Sequence, residues 1–84
     1  MKPVIVYTTA MCPYCVAAKA LLKKRGIAYE EINLPLDPDS RERLVGISGM
    51  ATFPQIVIDG EAIGGFEELR AADSSGRLAE LLSA

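Results

Sequence analysis

The first third of the chain constrains the fold most, because a strand, a helix and a second strand follow one another closely. Val4 to Tyr7 is a short run rich in β-branched residues, which is typical of a buried strand. Pro13 suits the first position of a helix that continues to about Arg25 and ends at Gly26. Ile27 to Leu34 predicts the second strand. Such a β-α-β unit implies two parallel strands joined by a right-handed crossover.

The remainder of the chain predicts two more strands and three more helices. The Asp59-Gly60 pair is a strong hairpin signal between two short apolar runs, so these strands are expected to be antiparallel. The order is β-α-β-α-β-β-α-α, which predicts an α/β domain over residues 1–84 with one mixed sheet of four strands. The further elements are expected at Ser40 to Ile47 (capped by Asp37 or Asp39), Ile56 to Ile58, Ala62 to Ile63, Phe66 to Ala71 and about Gly76 to Leu82.

Composition excludes several classes of function. The net charge of -2 argues against nucleic acid as a main partner, because phosphate binding needs a basic excess. No apolar run approaches the roughly 20 residues that cross a bilayer, and the N-terminal apolar stretch is too short for a signal peptide. We therefore expect a cytoplasmic protein without a membrane partner. The chain has no histidine, so catalysis and metal binding by histidine are absent.

The two cysteines, Cys12 and Cys15, lie at the junction of the first strand and the first helix. A crosslink over so short a loop stabilises a fold poorly, so this pair is better suited to redox chemistry. Cys12 is expected at the helix N-terminus, where free N–H groups and the helix dipole favour a thiolate. Cys15, one turn further, is expected to be less exposed and closer to an ordinary thiol. Cys12 is therefore the predicted nucleophile and Cys15 the predicted resolving thiol, with Pro13 stiffening the turn and Tyr14 beside the thiolate.

Two other interpretations of the cysteines stay open at this point. The pair is consistent with inert buried thiols, although the spacing and position argue against it. A zinc site of four thiolates cannot form within one chain, since two ligands are missing, so no metal site is predicted. An iron–sulfur cluster shared between two chains, with an external thiol as ligand, remains an alternative.

Several separated motifs resemble those of the glutaredoxin family, and they follow one another in the family's order over nearly the whole chain. The resemblance implies a thioredoxin-like fold, with helices on both faces of the sheet. The matching segments are Tyr7-Thr8, Cys12-Pro13-Tyr14-Cys15 (the dithiol, CPYC type), Thr52-Phe53-Pro54-Gln55, Gly64-Gly65-Phe66-Glu67-Glu68 and Asp73-Ser74-Ser75-Gly76-Arg77-Leu78.

The resemblance also implies a binding site for glutathione. In the family the proline corresponding to Pro54 is cis, and the backbone of the residue before it, here Phe53, pairs with the cysteinyl part of glutathione. The turn at Gly65 would hold the γ-glutamyl carboxylate, and Glu67 and Glu68 would receive the ammonium group. Two acidic residues in a first helical turn also simply favour the helix dipole. The full expected site is Thr9, Tyr14, Arg41, Thr52, Phe53, Pro54, Gly65, Phe66, Glu67 and Glu68.

The chain departs from the family pattern at Thr9. Many glutaredoxins have a lysine three residues before the first cysteine, where it meets the glycine carboxylate of glutathione. Thr9 brings no charge, so Arg41 at the start of the second predicted helix is the candidate compensating cation. The alternative for Arg41 is an ordinary surface arginine.

The resemblance implies a glutathione-dependent thiol–disulfide oxidoreductase that reduces protein disulfides and glutathione mixed disulfides. No cofactor would be bound, and NADPH would enter indirectly through glutathione reductase. The expected partners are glutathione and disulfide-bonded or glutathionylated proteins, and the chain is expected to be a monomer. Two alternatives remain: a redoxin reduced by thioredoxin reductase that serves a ribonucleotide reductase-type enzyme, and a glutathione-ligated iron–sulfur carrier.

Overall fold

The computed structural model describes residues 1–83, which form four strands and four helices in the predicted order. The predicted β-α-β-α-β-β-α-α arrangement is confirmed. The elements are β1 (Val4–Thr8), α1 (Pro13–Lys24), β2 (Glu30–Asn33), α2 (Pro38–Ser48), β3 (Gln55–Ile58), β4 (Glu61–Gly64), α3 (Phe66–Ser75) and α4 (Arg77–Leu82).

The four strands form one mixed sheet in the order β2-β1-β3-β4. β1 is parallel to β2, with Val6 opposite Glu31 and Thr8 opposite Asn33. β1 is antiparallel to β3, and the Asp59-Gly60 turn joins β3 to antiparallel β4. β1 is therefore an inner strand with backbone partners on both sides, and it ends where the dithiol segment begins.

Apolar side chains alternate along the inner strands and divide the core between the two sheet faces. Val4, Val6, Ile56 and Ile58 face α1, α3 and α4, where they pack with buried side chains of those helices that include Leu22. Tyr7 and Val57 point to the opposite face and pack against Leu44 of α2. Helices therefore cover both faces, as the resemblance implied.

Two element boundaries differ by three or more residues from those predicted, and the others differ by at most two. The strand expected over Ile27 to Leu34 is only Glu30–Asn33. Ile27 instead donates its backbone N–H to Leu22 O at the end of α1, so it closes that helix. α3 extends four residues beyond the predicted Ala71 and stops at Gly76, whose φ of +82° is left-handed. Within residues 1–83 no helix has the length and apolar character required to cross a membrane.

Candidate functional site

Cys12 is the N-cap residue of α1, and Pro13 occupies the first helical position. The Cys12 Sγ accepts a hydrogen bond from the backbone N–H of Cys15 at 3.2 Å. It also lies 3.8 Å from the carbonyl oxygen of Phe53, to which its thiol donates. The thiol of Cys12 is therefore the capping side chain of α1. Its sulfur accepts a hydrogen bond from an N–H group that would otherwise lack a partner at the helix start. This geometry places a backbone donor on the Cys12 sulfur and holds the side chain against the Phe53 backbone.

Cys15 differs from Cys12 in burial and in acidity. Both cysteines are free thiols, but Cys15 is only 2% exposed whereas Cys12 is half-buried. Burial, followed by the hydrogen bond with Cys12, raises the pKa of Cys15 to about 12, although a backbone hydrogen bond from Thr9 opposes the shift. The sequence predicted a thiol closer to an ordinary one, and that prediction is wrong because it could not account for this degree of burial.

A polar cluster made of Thr8, Lys19, Glu31 and Asn33 lies on the α1 side of the sheet. The Thr8 hydroxyl donates to Glu31 Oε2 at 2.7 Å, and Lys19 Nζ donates to the same oxygen at 3.1 Å. Asn33 Nδ2 donates to Thr8 Oγ1 at 3.2 Å. The hydroxyl of Thr8 and the ammonium of Lys19 hold the pKa of Glu31 below its ordinary value, and the carboxylate raises that of Lys19. Sequence analysis did not identify this cluster.

The segment before β3 approaches the dithiol through its backbone. The Phe53–Pro54 peptide bond is cis, as the resemblance implied. Gln55 is fully buried, and its amide nitrogen donates to the carbonyl oxygen and the hydroxyl of Thr52 at 3.0 and 3.3 Å. Gln55 Oε1 has no hydrogen-bond partner among residues 1–83. The side chain of Gln55 therefore holds the loop before β3 in place through its hydrogen bonds to Thr52. Sequence analysis did not identify this role of Gln55.

The turn before α3 lies against the same loop. A Cβ atom on Gly65 would come within 3.2 Å of the Pro54 carbonyl oxygen, so glycine permits this close approach. Gly64 has a φ of +117°, and a Cβ there would meet Glu68 Oε1 at 2.7 Å. The Glu68 carboxylate accepts a hydrogen bond from the Gly65 N–H at 3.1 Å. The two glycines therefore bring the start of α3 next to the dithiol.

The two acidic side chains of α3 already have partners in the structure. Glu68 caps the Gly65 N–H, and Glu67 forms an ion pair with Arg70 at 2.6 Å. Both interactions are local to the first turns of α3. A ligand ammonium group would therefore share these carboxylates with existing donors.

A groove of about 200 Å³ lies between the start of α1, the Phe53 loop and the start of α3. The rings of Tyr14 and Phe66 meet there with their centroids 6.1 Å apart. Eight of the ten residues predicted to bind glutathione line this groove, and Met50 is an additional wall. The lining residues are Tyr14, Met50, Thr52, Phe53, Pro54, Gly65, Phe66, Glu67 and Glu68.

The other two predicted residues do not line the groove. The Thr9 hydroxyl donates to the Leu34 carbonyl at 2.8 Å. Arg41 lines a separate depression with Leu36, Asp37 and Pro38 at the start of α2. Whether either residue meets glutathione stays a prediction, and the groove lining itself contains no arginine or lysine.

The fold and the site together define a class of protein. A β-α-β unit presents a dithiol at a helix N-terminus, and a cis-proline loop faces it from the next strand. One cysteine is accessible and the other is buried one turn away. These are the features of a thiol–disulfide redox protein with a thioredoxin-like fold.

Comparison with known proteins identifies the family. The family model for glutaredoxin matches residues 4–63. A glutaredoxin of Pseudomonas aeruginosa is 44% identical over 84 residues, covering 100% of both chains. Glutaredoxin 3 of Escherichia coli is 43% identical over 82 residues, covering 98% of this chain and 99% of the relative. The chain belongs to the glutaredoxin family.

Solved structures agree with this assignment. The solution structure of a glutaredoxin from Brucella melitensis has a TM-score of 0.84 and 43% identity, covering 98% of this chain and 89% of the other. A buckwheat glutaredoxin–glutathione complex has a TM-score of 0.85 and 28% identity, covering 96% of this chain and 76% of the other. The predicted thioredoxin-like fold is confirmed, as is the general prediction of a glutathione-dependent thiol–disulfide oxidoreductase.

Proposed function

We propose that this protein reduces protein disulfides and glutathione mixed disulfides, with Cys12 as nucleophile and Cys15 as resolving thiol. The observation that carries the proposal is the asymmetry of the dithiol. Cys12 caps α1 and accepts the Cys15 N–H, whereas Cys15 is buried and its pKa is raised to about 12. The first cysteine is therefore accessible to a substrate and carries a backbone donor on its sulfur, while the second is held as a thiol until a disulfide forms beside it.

Glutathione is the proposed reductant, and the groove beside Cys12 is its proposed site. The Phe53 backbone at the cis bond is positioned to pair with an extended peptide, and Tyr14 and Phe66 supply apolar walls. The N-terminus of α3 offers backbone N–H groups to a carboxylate. The buckwheat relative, which was solved as a glutathione complex, supports this assignment. Thr9 and Arg41 remain proposed contacts to the glycine carboxylate.

The proposed reaction proceeds by two thiol–disulfide exchanges. The Cys12 thiolate attacks a substrate disulfide and forms a mixed disulfide, releasing the first substrate thiol. Cys15 then attacks Cys12 Sγ, which forms the intramolecular disulfide and releases the second substrate thiol. Two molecules of glutathione restore the dithiol and leave as oxidised glutathione. We propose that glutathione reductase and NADPH regenerate glutathione in the cytoplasm.

Two serine variants test the assignment of roles. Cys12→Ser is expected to lose all turnover, because no thiolate remains at the helix N-terminus. Cys15→Ser is expected to keep reduction of glutathione mixed disulfides and to lose reduction of protein disulfides that needs both thiols. A coupled NADPH assay with glutathione reductase measures the first activity, and reduction of a disulfide-bonded protein measures the second.

The same assay with thioredoxin reductase in place of glutathione and its reductase discriminates the alternative electron source. Turnover with glutathione and none with thioredoxin reductase is the expected result. Normal activity of Cys12→Ser, or turnover with thioredoxin reductase alone, would contradict the proposal.

A further inference from the structure

The geometry of the dithiol alone does not explain how the buried thiol of Cys15 loses its proton for the resolving step. To resolve a mixed disulfide, Cys15 has to attack as a thiolate, yet it is only 2% exposed and burial disfavours its charged form. Once Cys12 is part of a disulfide, its sulfur no longer carries a charge. The stabilisation of a Cys15 thiolate then depends on groups that surround it.

Lys19 is the cation placed closest to this thiol along the helix. It follows Cys15 by four residues in α1, so the two side chains lie on the same face, one turn apart. That face packs on the sheet, because Cys15, Ala18 and Leu22 are all buried. The Lys19 side chain remains 30% exposed, which allows it to stay charged at the margin of the core.

Glu31 and Thr8 fix Lys19 in this position. Glu31 Oε2 accepts from both Lys19 Nζ and the Thr8 hydroxyl, and Thr8 is only 1% exposed. Thr8 ends β1, and the backbone of the next residue, Thr9, lowers the pKa of the Cys15 thiol. The same cluster thus anchors both the cation and the strand end that contacts Cys15.

The groups that face Cys15 can be named element by element within residues 1–83. Cys12, the N-cap of α1, and Lys19 of α1 act on Cys15 directly, and Lys19 interacts in turn with Glu31 of β2 and with Tyr29, the residue before β2. β1 and the residue that follows it contribute only the uncharged Thr8 and Thr9. Lys19 is the only cation of this group, and its field lowers the pKa of Cys15 against the effect of burial.

We propose that Lys19, held by Glu31, is a positioning residue for the resolving step, in which its ammonium group stabilises the negative charge that develops on Cys15 Sγ. This inference rests on the proposed roles of Cys12 and Cys15. In the step, the Cys15 thiol loses its proton and its sulfur bonds to Cys12 Sγ. The bond between Cys12 and the substrate sulfur breaks, and the proton passes to the departing thiolate or, where that thiol is acidic enough to stay ionised, to solvent water. Cys15 is oxidised and the departing sulfur is reduced.

An aromatic disulfide that releases a coloured thiolate separates the two steps. Attack by Cys12 on 5,5′-dithiobis(2-nitrobenzoate) releases the first chromophore in a phase whose rate depends on reagent concentration. Attack by Cys15 releases the second in a phase that is independent of concentration. Stopped-flow absorbance measures both rates for the reduced full chain over a range of pH.

Three variants provide the test and its controls. Lys19→Met removes the charge and retains most of the apolar length, so the second phase is expected to slow by roughly three- to tenfold at neutral pH. Its pH profile should shift to higher pH, while the first phase stays unchanged. Lys19→Arg retains the charge and is expected to restore the second phase. Lys24→Met, in the last turn of α1, removes an equal charge away from the site and should leave both phases as in the wild type.

The outcomes distinguish the inference from the proposed function. If Lys19→Met leaves the pH profile of the second phase unchanged, or if Lys24→Met slows it equally, the role of Lys19 is wrong while the roles of the cysteines stand. If Cys15→Ser still shows the second phase, the proposed function itself fails. Failure of Lys19→Arg to restore the rate would show that the lysine acts through packing rather than charge.

Discussion

At the scale of single residues, the two cysteines share a motif but differ in environment. Cys12 is bound by the Cys15 N–H and lies against the Phe53 carbonyl oxygen, at the surface end of α1. Cys15 points into the core beneath it. The spacing of the cysteines predicted this division, because one turn of helix carries the second side chain inward. The degree of burial depends on the sheet, and the sequence could not provide it.

High pH is expected to destabilise the reduced protein through Cys15. Burial raises the pKa of this thiol from its ordinary value of 9.0 to about 12, so the folded chain holds the proton more tightly than the unfolded chain does. The resulting stabilisation is fully present below about pH 9 and is lost as the pH rises through about 12. Urea unfolding of the reduced wild type should therefore lose free energy over this window.

Cys15→Ala is the matched control for this prediction. Every other titratable group is common to both proteins, so the difference between the two curves isolates the contribution of Cys15. The variant is expected to lose less stability than the wild type as the pH rises. Parallel curves would show that the Cys15 thiol is no less acidic in the folded chain.

Long-range side-chain pairs mark the limit of prediction from the sequence. The groove residues lie in contiguous motifs, and the resemblance identified them segment by segment. Lys19, Glu31 and Thr8 come from a helix and two strands, and each alone is typical of a surface or strand position. Only the register of β1 against β2, with Val6 opposite Glu31, places these side chains on the same face as α1. No local pattern carries that information.

At the scale of elements, local signals predicted the starts of α1, α3 and α4 to within one residue and the start of α2 to within two, whereas the second strand was predicted too long. Pro13 opens α1 and Asp37 caps α2, because capping chemistry depends on neighbouring residues. The predicted second strand was too long because Ile27 and Leu34 are apolar for another reason. Both are core residues that flank the strand. Leu34 also donates a hydrogen bond from its backbone N–H to Thr8 O. Apolar pattern alone does not distinguish a strand from its flanks.

The N-cap of α2 provides a prediction at this scale. Asp37 Oδ1 accepts a hydrogen bond from the backbone N–H of Ser40 at 2.7 Å. Asp37→Ala leaves that donor without its partner and should lower the free energy of unfolding by about 1 kcal/mol. Urea unfolding followed by circular dichroism measures the change.

Asp39→Ala is the control for the cap, because it removes an equal charge from the first turn of the same helix without removing the capping bond. Only a loss of a few tenths of a kcal/mol, from the helix dipole, is expected. Equal losses in the two variants would mean that charge rather than the capping bond stabilises α2.

At the scale of the whole molecule, the order of the elements determined the architecture. The β-α-β crossover and the Asp59-Gly60 hairpin leave few ways to arrange four strands, and the observed order β2-β1-β3-β4 is one of them. Helices then cover both faces because both faces of β1 and β3 carry buried side chains. That residues 1–84 constitute one independent domain stays a prediction.

The oligomeric state tests the remaining alternative at this scale. We expect a colourless monomer of 9.0 kDa. Protein purified without oxygen in the presence of glutathione should sediment as a single 9.0 kDa species. A dimer with a visible absorbance band that disappears on exposure to air would instead favour the iron–sulfur carrier.

The central position of β1 has a consequence for how mobility is distributed around the dithiol. Backbone hydrogen bonds hold β1 on both sides, whereas β2 and β4 are sheet edges with one free side. Opening β1 requires breaking two ladders at once, so its amides should exchange with solvent only through extensive unfolding. The nucleophile thus follows one of the two inner strands, while the walls of the groove belong to loops and helix ends. We therefore expect the walls of the groove to move when substrates of different shape bind, while the attacking sulfur stays fixed.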